Sequence, residues 1–148
     1  MPHTGSCLCG AARFSFDHPV SETGACHCGM CRKWSGGIVL SVQVPGDALK
    51  VTAHDTIKIH TSSKWGERAF CGKCGSGLWY RLTAPGPQHG MHYINMGTLD
   101  DTDGITLTHE LFIDAKPAGY ALEGDHTRIT GAEFFAMIEA ETGPKYPE

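Results

Sequence analysis

The sequence predicts an all-β fold: a small domain of two short antiparallel sheets, finished by one short C-terminal helix. Three observations lead there. Nineteen of the 148 residues are glycine, a share that favours a turn-rich chain over a helical bundle. Apolar residues alternate or run in short segments, each bounded by Gly, Pro, Ser or Asp, as strands do. Only one stretch, near the C-terminus, repeats apolar residues convincingly at helical spacing.

The elements follow in order. Ala12-Arg13-Phe14-Ser15-Phe16 alternates cleanly. Ile38 to Val44 is rich in β-branched residues and stops at Pro45-Gly46. Thr56-Ile57-Lys58-Ile59-His60 alternates again, and Leu78-Trp79-Tyr80-Arg81-Leu82 ends before Pro85-Gly86-Pro87. His92 to Met96 and Thr106 to Ile113 complete the strand set. A short helical turn is expected from about Cys28. At the C-terminus Thr130 and Glu133 form a capping box, in which each side chain satisfies an orphan backbone N–H. Phe134, Met137, Ile138 and Glu141 then recur at helical spacing until Gly143-Pro144, so a helix is expected over about 131–142 with its apolar face on a sheet. No repeat, low-complexity tract or linker interrupts the chain, and residues 1–148 read as a single domain.

Composition narrows the function. Hydrophobic content is 41% and net charge is −4, with Lys and Arg scattered rather than gathered on a face, so no nucleic-acid partner is expected. No apolar run is long enough for a bilayer-spanning helix, so no membrane partner is expected either. Met1-Pro2-His3-Thr4-Gly5 lacks the charged and apolar regions of a signal peptide, and a cytoplasmic location is expected.

The seven cysteines fall into three tight groups: Cys7/Cys9, Cys26/Cys28/Cys31 and Cys71/Cys74. An odd count without an export signal argues for metal rather than disulfides. Cys71-Gly72-Lys73-Cys74-Gly75 has the form of a zinc knuckle, whose two sulfurs reach one ion at about 2.3 Å. Cys7 and Cys9 could complete that site through a tight turn allowed by Ser6 and Gly10. Cys26, Cys28 and Cys31 would then form a second site with a free fourth position. His27 is the nearest candidate for that position, but its two neighbours both aim at the metal, which turns its ring elsewhere. A plain zinc ribbon of Cys28/Cys31 with Cys71/Cys74, leaving Cys7, Cys9 and Cys26 unassigned, fits the spacing as well. Asp100, Asp101 and Asp103 lack the later bidentate Glu of a calcium loop and read as an acidic turn. There is no Gly-x-Ser-x-Gly elbow or phosphate-binding loop.

The ordered pattern Gly5-Ser6-Cys7-Leu8-Cys9-Gly10, Cys26-His27-Cys28-Gly29-Met30-Cys31-Arg32 and Arg68-Ala69-Phe70-Cys71-Gly72-Lys73-Cys74-Gly75-Ser76 resembles the glutathione-dependent formaldehyde-activating enzyme family. Its relatives include centromere protein V-like proteins. Leu111-Phe112-Ile113 with Lys116-Pro117 extends the likeness, which covers about residues 5–131. The resemblance implies a β-tent fold organised around two zinc ions per chain. It implies a structural zinc on Cys7, Cys9, Cys71 and Cys74, and a catalytic zinc on Cys26, Cys28 and Cys31. It also implies a carbon–sulfur lyase that handles the adduct of glutathione and formaldehyde. One departure is visible: the family often carries tryptophan where this chain has Gly119, beside Tyr120.

The donor set gives a chemical reason for a thiol substrate. Three thiolates leave a zinc site at a formal charge of −1, a poor Lewis acid for activating water but a good seat for a further soft sulfur. Arg32 and Lys33, directly after Cys31, could offset that charge or meet a glutathione carboxylate. The expected ligands are thus a small-molecule thiol and a small aldehyde. The alternative is a zinc-stabilised module that binds glutathione or a protein without turnover.

Overall fold

Short alternating segments do become strands, and a computed structural model, which describes residues 2–142, shows where they pair. In chain order the strands are β1 (His3–Ser6), β2 (Arg13–Phe16), β3 (Glu22–Cys26), β4 (Val39–Val44), β5 (Leu49–Ala53) and β6 (Ile57–Thr61). They continue with β7 (Gly66–Cys71), β8 (Gly77–Leu82), β9 (His92–Asn95), β10 (Thr106–Leu111) and β11 (Thr127–Ile129). Helix α1 spans Gly29–Ser35 and α2 spans Gly131–Thr142; Met96–Thr98 and Ile113–Ala115 are single 3-10 turns. The chain divides into two compact units: the first runs through Ser21 and resumes over Ser41–Ile105, and the second holds Glu22–Leu40 and the chain from Thr106 on.

The first unit is antiparallel throughout. Strands β1-β2-β5 form a three-stranded sheet, and β4-β9-β8-β7-β6 are hydrogen-bonded in that order. Period-two alternation sends Phe14 and Phe16 inward while Arg13 stays exposed. They join Val42, Val44, Leu78, Trp79, Ile94 and Leu99 in one core, with the Trp79 ring edge-on to Phe14 at 5.8 Å. Cys7 and Cys71 are buried in this same core, and Cys74 packs against it.

The second unit corrects the expected fold class. Its strands β11-β10-β3 are all parallel, with Leu111 opposite Cys26 and Glu110 opposite both Ala25 and Arg128. It also carries both α-helices, and helix covers 17% of the chain. The two strand runs have free edges at β11 and β6, so neither closes. The protein is mixed α/β with open sheet, not an all-β tent of two antiparallel sheets. The physical reason is connectivity. Parallel neighbours require a long crossover, and here residues 27–105 separate β3 from β10. Local alternation reports that a segment is a strand but not which way its partner runs.

The C-terminal helix forms on the capping box. Glu133 N–H donates to Thr130 Oγ1 at 3.1 Å, and Thr130 N–H donates to Glu133 Oε1 at 3.3 Å. Its aromatic side chains rest on Phe112, with ring centroids 5.3 Å away for Phe134 and 5.8 Å for Phe135. The contacts of α2 include the 3-10 turn Ile113–Ala115, and Met137 is 52% exposed. Gly143-Pro144, expected to stop this helix, lie outside the described residues. Among the described residues no helix is long and apolar enough to cross a membrane.

Candidate metal centre

The sulfurs gather into two groups. Those of Cys7, Cys9, Cys71 and Cys74 all lie within 4.8 Å of one another, and so do those of Cys26, Cys28 and Cys31. The zinc-ribbon alternative does not form: the Cys71/Cys74 knuckle meets Cys7 and Cys9.

The four-sulfur group is made by two turns. After β1 the chain reverses with Gly10 N–H donating to Cys7 O at 3.1 Å and Cys7 N–H to Ala12 O at 3.1 Å. After β7 the knuckle closes with Gly75 N–H donating to Cys71 O at 2.7 Å. Both turns place glycine in the left-handed region, Gly10 at φ 78° and Gly75 at φ 82°, where a side chain would be strained. Leu8 N–H donates to Ser76 Oγ at 3.0 Å and ties one turn to the other. The Ser76 hydroxyl, 3.2 Å from Cys74 Sγ, and the Ser76 N–H lower the Cys74 thiol to about 5. Thr56 Oγ1, 3.3 Å from Cys71 Sγ, and the Cys74 N–H lower Cys71 in the same direction. Both sulfurs are thereby disposed to be thiolates, the form that binds metal.

The group fits zinc. Four sulfurs about 2.3 Å from a tetrahedral ion lie roughly 3.8 Å apart. Cys7 and Cys9 sulfurs are 3.5 Å apart, and Cys9 and Cys71 sulfurs 3.9 Å.

The three-sulfur group sits where β3 gives way to α1. Cys26 is the last residue of the strand. Cys28 is the extended N-cap of the helix (φ −61°, ψ 155°), and its sulfur accepts the Cys31 N–H at 3.4 Å. Donation from Cys26, then from Cys31, brings Cys28 down to about 2. Hydrogen bonding to Cys28 and Cys31 drives Cys26 well above the ordinary thiol value. Such a cluster holds its protons unevenly and is primed to exchange them for a cation. Among the described residues no histidine, carboxylate or further cysteine joins this group, so the donors fill three positions of a tetrahedron.

His27 is not a fourth ligand. Its ring is fully buried, with Nε2 2.6 Å from Glu110 Oε1 and Nδ1 3.0 Å from the Tyr120 hydroxyl. Burial alone would raise Glu110, but hydrogen bonds from His126 and His27 outweigh it and hold the carboxyl below its ordinary value. An ionised carboxylate only accepts, so His27 Nε2 carries a proton, and in the neutral ring Nδ1 accepts the tyrosine O–H. Sequence reading missed Glu110, His126 and Arg128. The one available signal was a glutamate inside an otherwise strand-like segment.

Arg32 donates from Nε to the His27 carbonyl at 3.1 Å, so part of its guanidinium is committed beside the trio. Lys33 is exposed. A Cβ at Gly119 would meet nothing within 4 Å, while Tyr120 turns onto His27 with ring centroids 5.7 Å apart. The acidic turn is as read: Thr4 Oγ1 donates to Asp100 at 2.6 Å, and Asp101 accepts the Asp103 N–H at 2.9 Å.

Comparison with known proteins agrees with the cysteine pattern. A sequence model of the family described as glutathione-dependent formaldehyde-activating enzyme matches residues 2–115. An uncharacterized lyase of Schizosaccharomyces pombe is 28% identical over 142 residues, covering 93% of this chain and 98% of the relative. A Halomonas elongata protein provisionally named as a glutathione-dependent formaldehyde-activating enzyme is 38% identical over 86 residues, 51% of this chain and 53% of the relative. A Podospora anserina protein with the same provisional name is 31% identical over 96 residues, 62% of this chain and 45% of the relative.

Proposed function

We propose, on the premise that this chain belongs to the glutathione-dependent formaldehyde-activating enzyme family, that it is a zinc-dependent carbon–sulfur lyase. Its substrates on this reading are glutathione, or a similar small thiol, and formaldehyde. The observation that carries the reading is the contrast between a sulfur group of four and one of three. The four complete a tetrahedron, and the three do not.

The reaction is an addition and its reverse. A sulfur lone pair forms the S–C bond to the carbonyl carbon, the C=O π pair moves to oxygen, and the thiol proton ends there as a hydroxyl. Nothing is oxidised or reduced. Zinc on Cys26, Cys28 and Cys31 would favour the thiolate form of an incoming thiol and so supply the nucleophile. The chain's own part is to hold that trio at a strand–helix junction, with Cys28 already disposed to be a thiolate. Exposed Lys33 is the side chain we assign to a glutathione carboxylate, and Arg32 shares that role with the part of its guanidinium not bound to His27. Cys7, Cys9, Cys71 and Cys74 take the structural ion in this reading. Free thiols persist in a reducing compartment, and the same proposal locates the reaction in the cytoplasm.

Exchange NMR on glutathione and formaldehyde tests it. Exchange should accelerate with the parent protein and lose that acceleration in Cys28→Ala. Binding of glutathione without any acceleration would make the protein a binding module instead.

A further inference from the structure

Every polar atom of His27 is engaged. Its N–H donates to Leu111 O at 3.0 Å, and its carbonyl accepts Arg32 Nε at 3.1 Å. Its two ring nitrogens meet Glu110 and Tyr120. Those partners are themselves held. The second Glu110 oxygen faces His126 Nε2 at 2.5 Å and accepts Arg128 Nε at 3.0 Å. Arg128 Nη2 also donates to Leu122 O and Gly124 O at 3.3 and 3.2 Å. Lys116 Nζ donates to the Pro117 and Tyr120 carbonyls and lies 4.9 Å from the Tyr120 ring centroid. One imidazole thus collects hydrogen bonds from β10, the loop after it and the first turn of α1, and through Glu110 from β11.

That imidazole lies between two candidate ligands. In extended chain, residues two apart share a face and the residue between them points the other way. Cys26 is in a strand and Cys28 is extended, so fixing the His27 side chain on one face fixes both sulfurs on the other. We propose that His27, held by Glu110 and Tyr120, is a positioning residue that sets the direction of the Cys26 and Cys28 sulfurs. The affinity and geometry of the three-sulfur site then depend on Glu110, which touches no sulfur in it. The idea rests on the metal reading above and deepens it. Tyr120, His126 and Arg128 all lie beyond residues 2–115, the stretch that the family model matches.

Cobalt(II) uptake and competition against a chromophoric chelator test this on the whole chain. The parent should take two ions, one at each sulfur group. Glu110→Gln keeps the shape of the carboxylate and removes its charge. It should weaken the three-sulfur site about tenfold to a hundredfold, the usual cost of losing an outer partner of a metal site. It should also shift that site's ligand-field bands and leave the four-sulfur bands unmoved. His27→Ala should do the same. His27→Gln, whose amide can still donate to Glu110, should recover most of the affinity, and Tyr120→Phe should give a smaller shift. Circular dichroism matching the parent keeps these variants interpretable. Folded Glu110→Gln and His27→Ala proteins with parental affinity and bands at the trio would overturn the positioning role alone. A parent that binds cobalt only at the four-sulfur group would overturn the metal reading and this inference with it.

Discussion

Cys7 and Cys71 are buried beside Phe14, Leu78 and Trp79 in a hydrophobic core, whereas Cys26, Cys28 and Cys31 are half-buried at the end of a strand. The first group draws its hydrogen bonds from Thr56, Ser76 and the turns that form it. In the second the Cys28 sulfur accepts the Cys31 N–H at the helix start, and the neighbouring His27 leans on a buried carboxylate. A complete ligand set with two of its sulfurs in a core, Cys9 being exposed and Cys74 half-buried, couples metal to folding. An incomplete set at a junction leaves a position for something else.

The sharpest way to break that contrast is to remove one sulfur from each group. Cys71→Ala should abolish the cooperative thermal transition, because free energy of about 10–16 kcal/mol at a structural zinc is folding free energy. Cys28→Ala should lose one ion, as read by native mass spectrometry, yet keep its circular dichroism. Equal collapse of both variants would contradict the division. Phe14→Ala tests the core around the first group and should cost about 3–5 kcal/mol in urea unfolding.

Acid should reach the two regions in different windows. His92, in the first unit, is lowered to about 4 by burial and then by Arg81, and its buried Nδ1 has no hydrogen-bond partner among the described residues. It is neutral in both folded and unfolded chains above its ordinary value of about 6.5. Below that value the unfolded chain takes up a proton that the folded chain refuses. Stability should therefore fall as pH drops from about 6.5 to about 4, by on the order of 3 kcal/mol. His92→Gln should flatten this window in urea titrations. Glu110, in the second unit, has its folded value lowered, so its contribution is full above the ordinary carboxylate value and is lost only as pH falls through the lower folded one. The smallest effect belongs to the second unit's helix. Thr130→Ala removes the cap on Glu133 N–H and should cost about 1 kcal/mol.

How far the sequence foretold this molecule depended on whether the signal was local. Arg13–Phe16 alternates and forms a strand, and Thr130 with Glu133 caps a helix, because each pattern resolves within a few residues. The Cys71–Cys74 knuckle was legible for the same reason. Strand β3 was not. Its Glu-Thr-Gly-Ala-Cys composition shows no apolar run, yet Thr23, Gly24 and Ala25 are all buried. A Cβ at Gly24 would lie 2.0 Å from the His109 ring, so this strand is built for close approach rather than for hydrophobic cover. The parallel pairing of β3 with β10 and the burial of Glu110 between two histidines and an arginine are long-range facts. The strand partners Thr106 and Glu22 stand 84 positions apart and Glu110 meets His27 across 83 and His126 across 16, and neither arrangement leaves a periodic trace in the chain.

The measurement that bears most directly on the account is the absorption spectrum of the dicobalt protein titrated with glutathione. An open position at Cys26, Cys28 and Cys31 should add sulfur-to-metal charge-transfer intensity equal to one further thiolate, and Cys28→Ala should abolish that gain. A spectrum unchanged at saturating glutathione, with both ions in place, would show the position closed to thiols and contradict the account.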